Sequence, residues 1–312
     1  VLGMMPKELY QKLGFKPGAV NDGFVAYTQK IPTSDLSFDM LPIKGGTFVM
    51  GSPANDPNRS KEEHLAHKVQ VSDIWMGKYE LTWDEYELWM LNLDKDNREY
   101  KKLETTEADE LSDGVTKPTA PYTDMTFGMG KSGYPAICMT QLSAKMYSMW
   151  LSARTGKFYR LPTEAEWEFA ARGGLDGALF PWGDEFNPNG EHLANTWQGI
   201  FPSSNSLEDG WYGTCPVDAF PANGYGLHNA VGNVWEWCAD WFSVEHPLAP
   251  EMIDPMGPSD GDAKVQKGGS FLCHLSYCAR YRPAARVGVS PDSTSSNVGF
   301  RCTYNPDSTI SR

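Results

Sequence analysis

Hydrophobic positions along this 312-residue chain come in short bursts, and only three windows hold a helical period. Leu41-Pro42-Ile43-Lys44-Gly45-Gly46-Thr47-Phe48-Val49-Met50-Gly51-Ser52 reads as a strand with glycines at both ends. A first helix begins at Thr82, where Thr82-Trp83-Asp84-Glu85 fits a capping box and places Tyr86, Trp89 and Met90 on one face. A second runs from about Thr140 to Ala153, with Leu142, Met146, Met149, Trp150 and Ala153 on one side and Gly156 at its end. The third follows Arg160-Leu161-Pro162, opens on the box Thr163-Glu164-Ala165-Glu166 and stops at Gly173-Gly174. Beyond residue 175 short strands and turns alternate, and no repeat or low-complexity tract occurs. Residues 1–40 read as an extension packed on the surface, 41–306 as the domain, 93–132 as a polar insertion within it, and 307–312 as a tail.

Composition sharpens this picture. With 30 Gly, 22 Pro, 11 Trp and 14 Tyr, the chain predicts a loop-rich α+β fold plugged by aromatic rings, not a helix bundle or doubly wound sheet. A net charge of −13 argues against nucleic acid as partner and suits solubility, cationic ligands or calcium. No stretch approaches the roughly 18 apolar residues of a membrane span. The start, Val1-Leu2-Gly3-Met4-Met5, is too short for a signal sequence. A trimmed chain would hide its targeting signal, so a soluble protein in the cytoplasm or exported from it fits equally. The six cysteines, Cys138, Cys215, Cys238, Cys273, Cys278 and Cys302, do not by their even number establish a disulfide framework.

Candidate chemistry centres on Gly268-Gly269-Ser270-Phe271-Leu272-Cys273-His274-Leu275-Ser276-Tyr277-Cys278. An offset of five sends two thiols to opposite faces of a strand and apart by roughly 140° on a helix. Only an irregular loop brings them together, as a disulfide, a soft-metal site or a redox pair. Zinc normally wants four ligands, and no C-x2-C knuckle is present. Two oxygen-rich loops are candidates for calcium. One is Asn229-Ala230-Val231-Gly232-Asn233-Val234-Trp235-Glu236-Trp237, which reads equally as an Asx-turn loop with Glu236 paired to an arginine. The other is Asn195-Thr196-Trp197-Gln198-Gly199 with Glu208-Asp209-Gly210-Trp211. His64 and His67 read as a solvated turn, and Glu164 and Glu166 as capping groups. No P-loop, G-x-S-x-G elbow or H-E-x-x-H motif occurs.

Taken in order, several segments resemble the formylglycine-generating enzyme (sulfatase-modifying factor) family. They are Gly45 to Gly51, Tyr79-Glu80-Leu81-Thr82, Arg160 to Glu168, Asn223-Gly224-Tyr225-Gly226-Leu227, Gly232 to Trp237, Lys267 to Ser270 and Asn297-Val298-Gly299-Phe300-Arg301. The resemblance implies a C-type-lectin-like fold with little regular secondary structure. It also implies an O2-using oxidase that converts the cysteine of a C-x-P-x-R motif in an unfolded or nascent sulfatase to Cα-formylglycine. Cys273 and Cys278 would hold Cu(I), leaving room for the substrate thiolate. Ser270 and Trp235 would line the oxygen side, Tyr277 and His274 would flank the loop, and Asn297 and Arg286 would lie near the substrate. Calcium would be structural, held in one loop by Asn195 and Asp209 side chains with Thr196 and Trp211 carbonyls. In the other it would take Asn229 and Glu236 with Gly232 and Val234 carbonyls.

The chain departs from secretory members of that family. The partners of their two structural disulfides stand here as Ser148, Ala171 and Pro283, leaving Cys302 alone. Lectin-like relatives without activity share the general signature, so a non-catalytic binding or structural module is the rival reading, and the C-x4-C loop is what separates the two. A cleft beside Cys273, offering acidic or carbonyl groups to the motif's arginine, is the expected substrate site.

Overall fold

The computed structural model describes residues 23–244, 252–277 and 279–305. Most of the expected N-terminal extension, the tail and Cys278 lie outside the described residues.

Two sheets carry the architecture. The first, of five strands, runs in the order Tyr27–Lys30, Ser37–Ile43, Ile74–Gly77, Thr303–Tyr304, Tyr159–Arg160, antiparallel throughout. The boundary expected at residue 41 therefore falls inside a strand, and residues 27–40 belong to the sheet rather than to a surface extension. Pro42 and the polar Ser37 and Asp39 masked that strand, although Pro42 sits opposite Trp75 without disrupting the register. The second sheet has the order Arg286–Val289, Lys264–Lys267, Trp235–Trp241, Val298–Gly299, its last pair parallel. A smaller three-stranded sheet joins Gly46–Met50 to His67–Val71 and Met252–Ile253.

All three predicted helices form, both predicted capping boxes close, and Thr140 caps the helix expected to start near it. Helix α1 (Trp83–Met90) starts at Thr82, whose backbone N–H donates to Glu85 Oε2 at 3.0 Å to close the capping box. Two further helices, α2 (Leu93–Tyr100) and α3 (Glu107–Asp113), occupy the segment expected as a polar insertion. Their charges are what disguised them. Arg98 meets Asp94, Asp109 and Asp113, and Arg154 of α4 (Gln141–Thr155) meets Asp94 and Asp109, so ion pairs rather than apolar contacts fasten α2 and α3. Of the face expected on α4, Trp150 and Ala153 are buried, together with Ala144, Tyr147, Ser148 and Leu151, while Met146 and Met149 are partly buried and Leu142 is exposed; α3 packs along α4. Helix α5 (Glu164–Ala171) is buried all round.

Ser148 Oγ lies 3.7 Å from Cys302 Sγ. This hydroxyl occupies the place that the family resemblance assigns to a disulfide partner. Cys138, Cys215, Cys238 and Cys302 carry no disulfide.

Buried acids give the fold a pH dependence whose sign can be worked out. Burial, then the charge of Glu236, raises the Glu80 carboxyl to about 8, and burial raises Glu85 to about 7. Burial and then Glu164 raise Asp240 to about 7. Each takes up a proton more readily folded than unfolded, so its stabilisation is complete below about pH 4 and is lost as pH rises through 7 to 8. Glu168 runs the other way: burial would raise it, but Lys267 and Arg172 overcome this and hold it at about 2. Its contribution disappears only in strong acid. Thermal unfolding is therefore expected at lower temperature at about pH 9 than at about pH 5. Glu85→Gln, neutral at both, should shrink that difference; an unchanged slope would show that Glu85 is ionised throughout.

Candidate active-site cleft

The thiol loop is irregular because its backbone bonds run sideways. Gly269 holds φ +71°, and a Cβ there would stand 2.9 Å from the Arg280 carbonyl oxygen, so only glycine lets the two arms of the loop close. Phe271 N–H donates to Asn233 O at 2.9 Å, Cys273 N–H to Ser270 O at 2.8 Å, and Trp197 N–H to Cys273 O at 3.0 Å. Cys273 is thereby fixed and buried where three segments meet. Cys278 lies outside the described residues.

A cleft of about 400 Å³ opens beside Cys273. Strand alternation explains its floor. Gln266 pairs with Val287 and Lys264 with Val289 across the sheet, and Gln266, Val287 and Val289 all face the cleft. Trp235 and Val298 continue that floor, while Phe201 and Tyr277 form a wall, their rings stacked at 4.7 Å. Ser270 and Asn297 supply polar groups at its base, with Asn297 Nδ2–H donating to Ser270 Oγ at 2.8 Å.

The structure thus brings together Cys273, Ser270, Trp235, Tyr277 and Asn297. Two expected residues are not among them. Arg286, one position off in the alternation, faces the opposite side of the sheet. It forms an ion pair with Glu164 (Nε 2.7 Å from Oε1), donates from a terminal guanidinium nitrogen to Glu164 Oε2 at 2.8 Å and from the other to Ser243 O at 2.7 Å, and so is a buried structural cation outside the cleft. His274 does not line the cleft, and its Nδ1 meets Ser276 Oγ at 2.7 Å. Of the acidic or carbonyl groups expected to receive the motif's arginine, no aspartate or glutamate lines the cleft among the described residues, and Arg280, paired with Glu62 at 2.9 Å, lines it as well. Val287, Val289 and Gln266 could have been found from strand alternation; Phe201, on a short hairpin, left no signal in the sequence.

His64 is no solvated turn. It is buried, with Nε2 3.3 Å from Glu164 Oε2, and burial lowers its pKa.

The two oxygen-rich loops are tied together. Asn233 N–H donates to Asn195 O at 2.9 Å, and a Cβ on Gly232 (φ +80°) would stand 2.6 Å from that same oxygen. Asp209 accepts from the Thr196 and Trp211 N–H groups, both at 3.0 Å, and from Gln198 Nε2 at 2.8 Å. Glu236 is held by Arg301 at 2.6 to 2.9 Å and by Trp167 Nε1 at 2.7 Å, the arginine pairing that the sequence left open. Val234 is buried beside it. Asn195 Oδ1 and Asn229 Oδ1, one in each loop, are buried with no hydrogen-bond partner, and so is Glu80 Oε1. Among the described residues no three His, Cys, Asp or Glu side chains converge as a metal site. The orphaned amide oxygens nevertheless fit a hard cation, which satisfies such acceptors.

The placement of Arg286 gives a prediction. Arg286→Met would leave Glu164 with only the longer contacts to Lys267 (3.6 Å) and His64 (3.3 Å). Stability should fall by about 3–5 kcal/mol in denaturant titrations, while substrate affinity of the folded fraction stays unchanged. Weaker substrate binding at unchanged stability would return Arg286 to the cleft.

Residues 28–306 match the family described as Sulfatase-modifying factor enzyme 1-like domain. The chain is 43% identical to the formylglycine-generating enzyme of Mus musculus, over 84% of this chain and 74% of that protein. It is 40% identical to that of Thermomonospora curvata, over 87% and 95%. A Bos taurus relative named Inactive C-alpha-formylglycine-generating enzyme 2 is 42% identical over 55% of this chain and 50% of its own length. The fold is that of PvdO from Pseudomonas aeruginosa, with a TM-score of 0.66 at 24% identity over 93% of this chain and 99% of that one.

Proposed function

Since the chain belongs to the sulfatase-modifying factor family, we propose that it is a formylglycine-generating enzyme, an oxidase that converts a cysteine in the C-x-P-x-R segment of an unfolded or nascent sulfatase to Cα-formylglycine. The observation that carries this reading is the buried Cys273 at the base of an open cleft, set among Ser270, Asn297 and Trp235. An inactive relative of similar identity shows that family membership alone does not confer turnover. The cleft and the C-x4-C loop favour the enzyme over a binding module.

Cys273 and Cys278 are the soft donors that would hold Cu(I), and copper so bound would supply the one-electron chemistry with O2. The chain's own groups do the rest. Phe201 and Tyr277 present a flat apolar wall against which an extended peptide can lie, since a folded helix or strand would keep its cysteine out of reach. Trp235, Val287 and Val289 give the floor of the cleft apolar surface beside the polar Ser270, Asn297 and Gln266. O2 is the oxidant: the substrate cysteine loses two protons, one from its thiol and one from Cβ, and two electrons, and O2 takes up both pairs as hydrogen peroxide. The resulting thioaldehyde exchanges sulfur for the oxygen of water and releases hydrogen sulfide. Calcium, held by the two oxygen-rich loops through Asn195, Thr196, Asp209, Trp211, Asn229, Gly232, Val234 and Glu236, would be structural. In the orientation described, Glu236 would share its carboxylate between the ion and Arg301. Among the described residues no helix is long and apolar enough to cross a membrane.

Incubating the copper-loaded protein with a C-x-P-x-R peptide and O2 should yield an aldehyde detectable by mass and by hydrazide trapping. Cys273→Ser and Cys278→Ser should each abolish it together with stoichiometric copper binding. Copper uptake by the double variant equal to the parent's would remove this mechanism, and copper binding without any aldehyde would leave the binding module.

Calcium carries its own expectation. A ligand bound only to the native state stabilises it by RT ln(1 + [L]/Kd). Chelation should therefore lower Tm, and calcium should restore it in the parent but less completely in Asn195→Ala and Asn229→Ala. A Tm indifferent to chelator, with no calcium found by elemental analysis, would mean that hydrogen bonds alone hold these loops.

A further inference from the structure

Gln266 is a buried polar side chain that the fold leaves unused. It is 3% exposed, lies on the floor of the cleft and stands directly opposite Val287 in the sheet. Its backbone belongs to the strand pairing, but among the described residues its carboxamide makes no hydrogen bond. Neither Oε1 nor Nε2 is sealed within the protein, and the open space they reach is the cleft. Other polar groups there are engaged or solvated. The Ser270 and Ser295 hydroxyls each meet the Asn297 amide, at 2.8 and 2.6 Å, and Arg280 is paired with Glu62 at 2.9 Å. Ser293 and Thr294 are exposed.

Water can satisfy the carboxamide while the cleft is open. A ligand lying across the floor displaces that water, and a buried donor or acceptor left without a partner costs more than one hydrogen bond contributes. The ligand must therefore bring one donor and one acceptor, side by side. One residue of an extended polypeptide has this pair, since its N–H and C=O point to the same side, as in the antiparallel ladder where two facing residues exchange both bonds. Val287 and Val289 beside Gln266 offer no competing side-chain polar group. A carboxamide carries a donor and an acceptor whichever way it turns, so the match does not depend on its orientation in the free protein. The guanidinium of Arg280, which only donates, has no such match.

We propose that Gln266 is a substrate-binding residue that reads backbone: its carboxamide exchanges two hydrogen bonds with the N–H and C=O of one residue of an extended peptide lying along the cleft floor. The peptide as ligand rests on the function proposed above. The paired residue is not the motif's proline, which has no N–H. Gln266 thereby favours a segment whose backbone is free, as in an unfolded chain, over one whose N–H and C=O groups are already paired in a helix or sheet.

Binding to the metal-free protein tests this, using a C-x-P-x-R peptide and a set of analogues that each carry one backbone ester oxygen in place of an N–H. In the parent at least one ester should weaken binding roughly five- to ten-fold, the effect of losing one neutral hydrogen bond. Gln266→Met, close in size but apolar, should bind the all-amide peptide more weakly than the parent does and should no longer distinguish it from that ester. Gln266→Glu, whose carboxylate still accepts from an N–H, should continue to distinguish them. The ester scan on the parent needs no variant, and a scan in which every ester binds like the amide would overturn the pairing. An ester equally unfavourable in the parent and in Gln266→Met would overturn it too, because that N–H would then bond elsewhere. A scrambled peptide without the motif that binds as tightly, with the same Gln266-dependent ester, would leave the pairing standing and remove the sulfatase-motif reading. If the parent binds neither peptide, both fall.

Discussion

Arg301 and Glu236 form the contact on which the rest of the structure depends. Glu236 lies on one of the two inner strands of the four-stranded sheet, and Arg301 follows the short parallel strand beside it. Their bidentate pairing is fully buried, a geometry in which planar guanidinium and carboxylate match. Arg301 reaches further, donating to Gly77 O at 3.2 Å and to His228 O at 2.9 Å, while Glu236 accepts from Trp167 of α5. One ion pair therefore joins both large sheets, a helix and the loop leading into Asn229. A fold with this little regular structure has few backbone ladders to satisfy its polar groups, and fixed charges replace them. Breaking such a pair from one side leaves an uncompensated buried charge, which makes each partner far more costly to remove than the pair is stabilising.

The four-stranded sheet then separates structure from chemistry by alternation alone. On Arg286–Val289 and Lys264–Lys267, Arg286 and Lys267 turn toward Glu164 and Glu168, while Val287, Val289 and Gln266 turn toward the cleft. The charged face anchors α5 against the sheet. The uncharged face lines the cleft. A slip of one residue in this register would exchange the two sets, burying valines among carboxylates and placing cations in the cleft. The buried ion web thus specifies the floor of the cleft without touching it.

How far the sequence was readable follows the range of the signals. Thr82, Thr140 and Thr163 announced their helices because a cap is a local hydrogen bond written within four residues. The thiol segment was expected to be an irregular loop, since two cysteines five apart converge on no regular element, and its described residues, 268–277, form no helix or strand. Helices α2 and α3 were not, since their partners are Arg154 and each other's aspartates rather than a hydrophobic stripe. Arg286 was misplaced for a related reason. Family likeness put it near the substrate, but which face it takes depends on its pairing with Lys267, a relation between segments about twenty residues apart. The wall made by Phe201 and Tyr277 joins segments still more distant, and neither residue is distinctive alone.

Among the cysteines, environment rather than number decides which can react. Burial pushes the Cys138 thiol up to about 11 and Cys302 to about 12, and drives Cys215 and Cys238 higher still. A thiol so shifted holds almost no thiolate at neutral pH, and the thiolate is both the nucleophile and the metal ligand. These four behave as small apolar side chains, and Ser148 beside Cys302 keeps one of them from closing a bridge. Cys273 differs in what surrounds it. It borders open space, its loop is fixed by backbone bonds, and Ser270 and Asn297 stand next to it with directed polar groups. Among the described cysteines Cys273 is therefore the one that lines the cleft, whereas Cys215, Cys238 and Cys302 are buried in the core and Cys138 is partly exposed away from it.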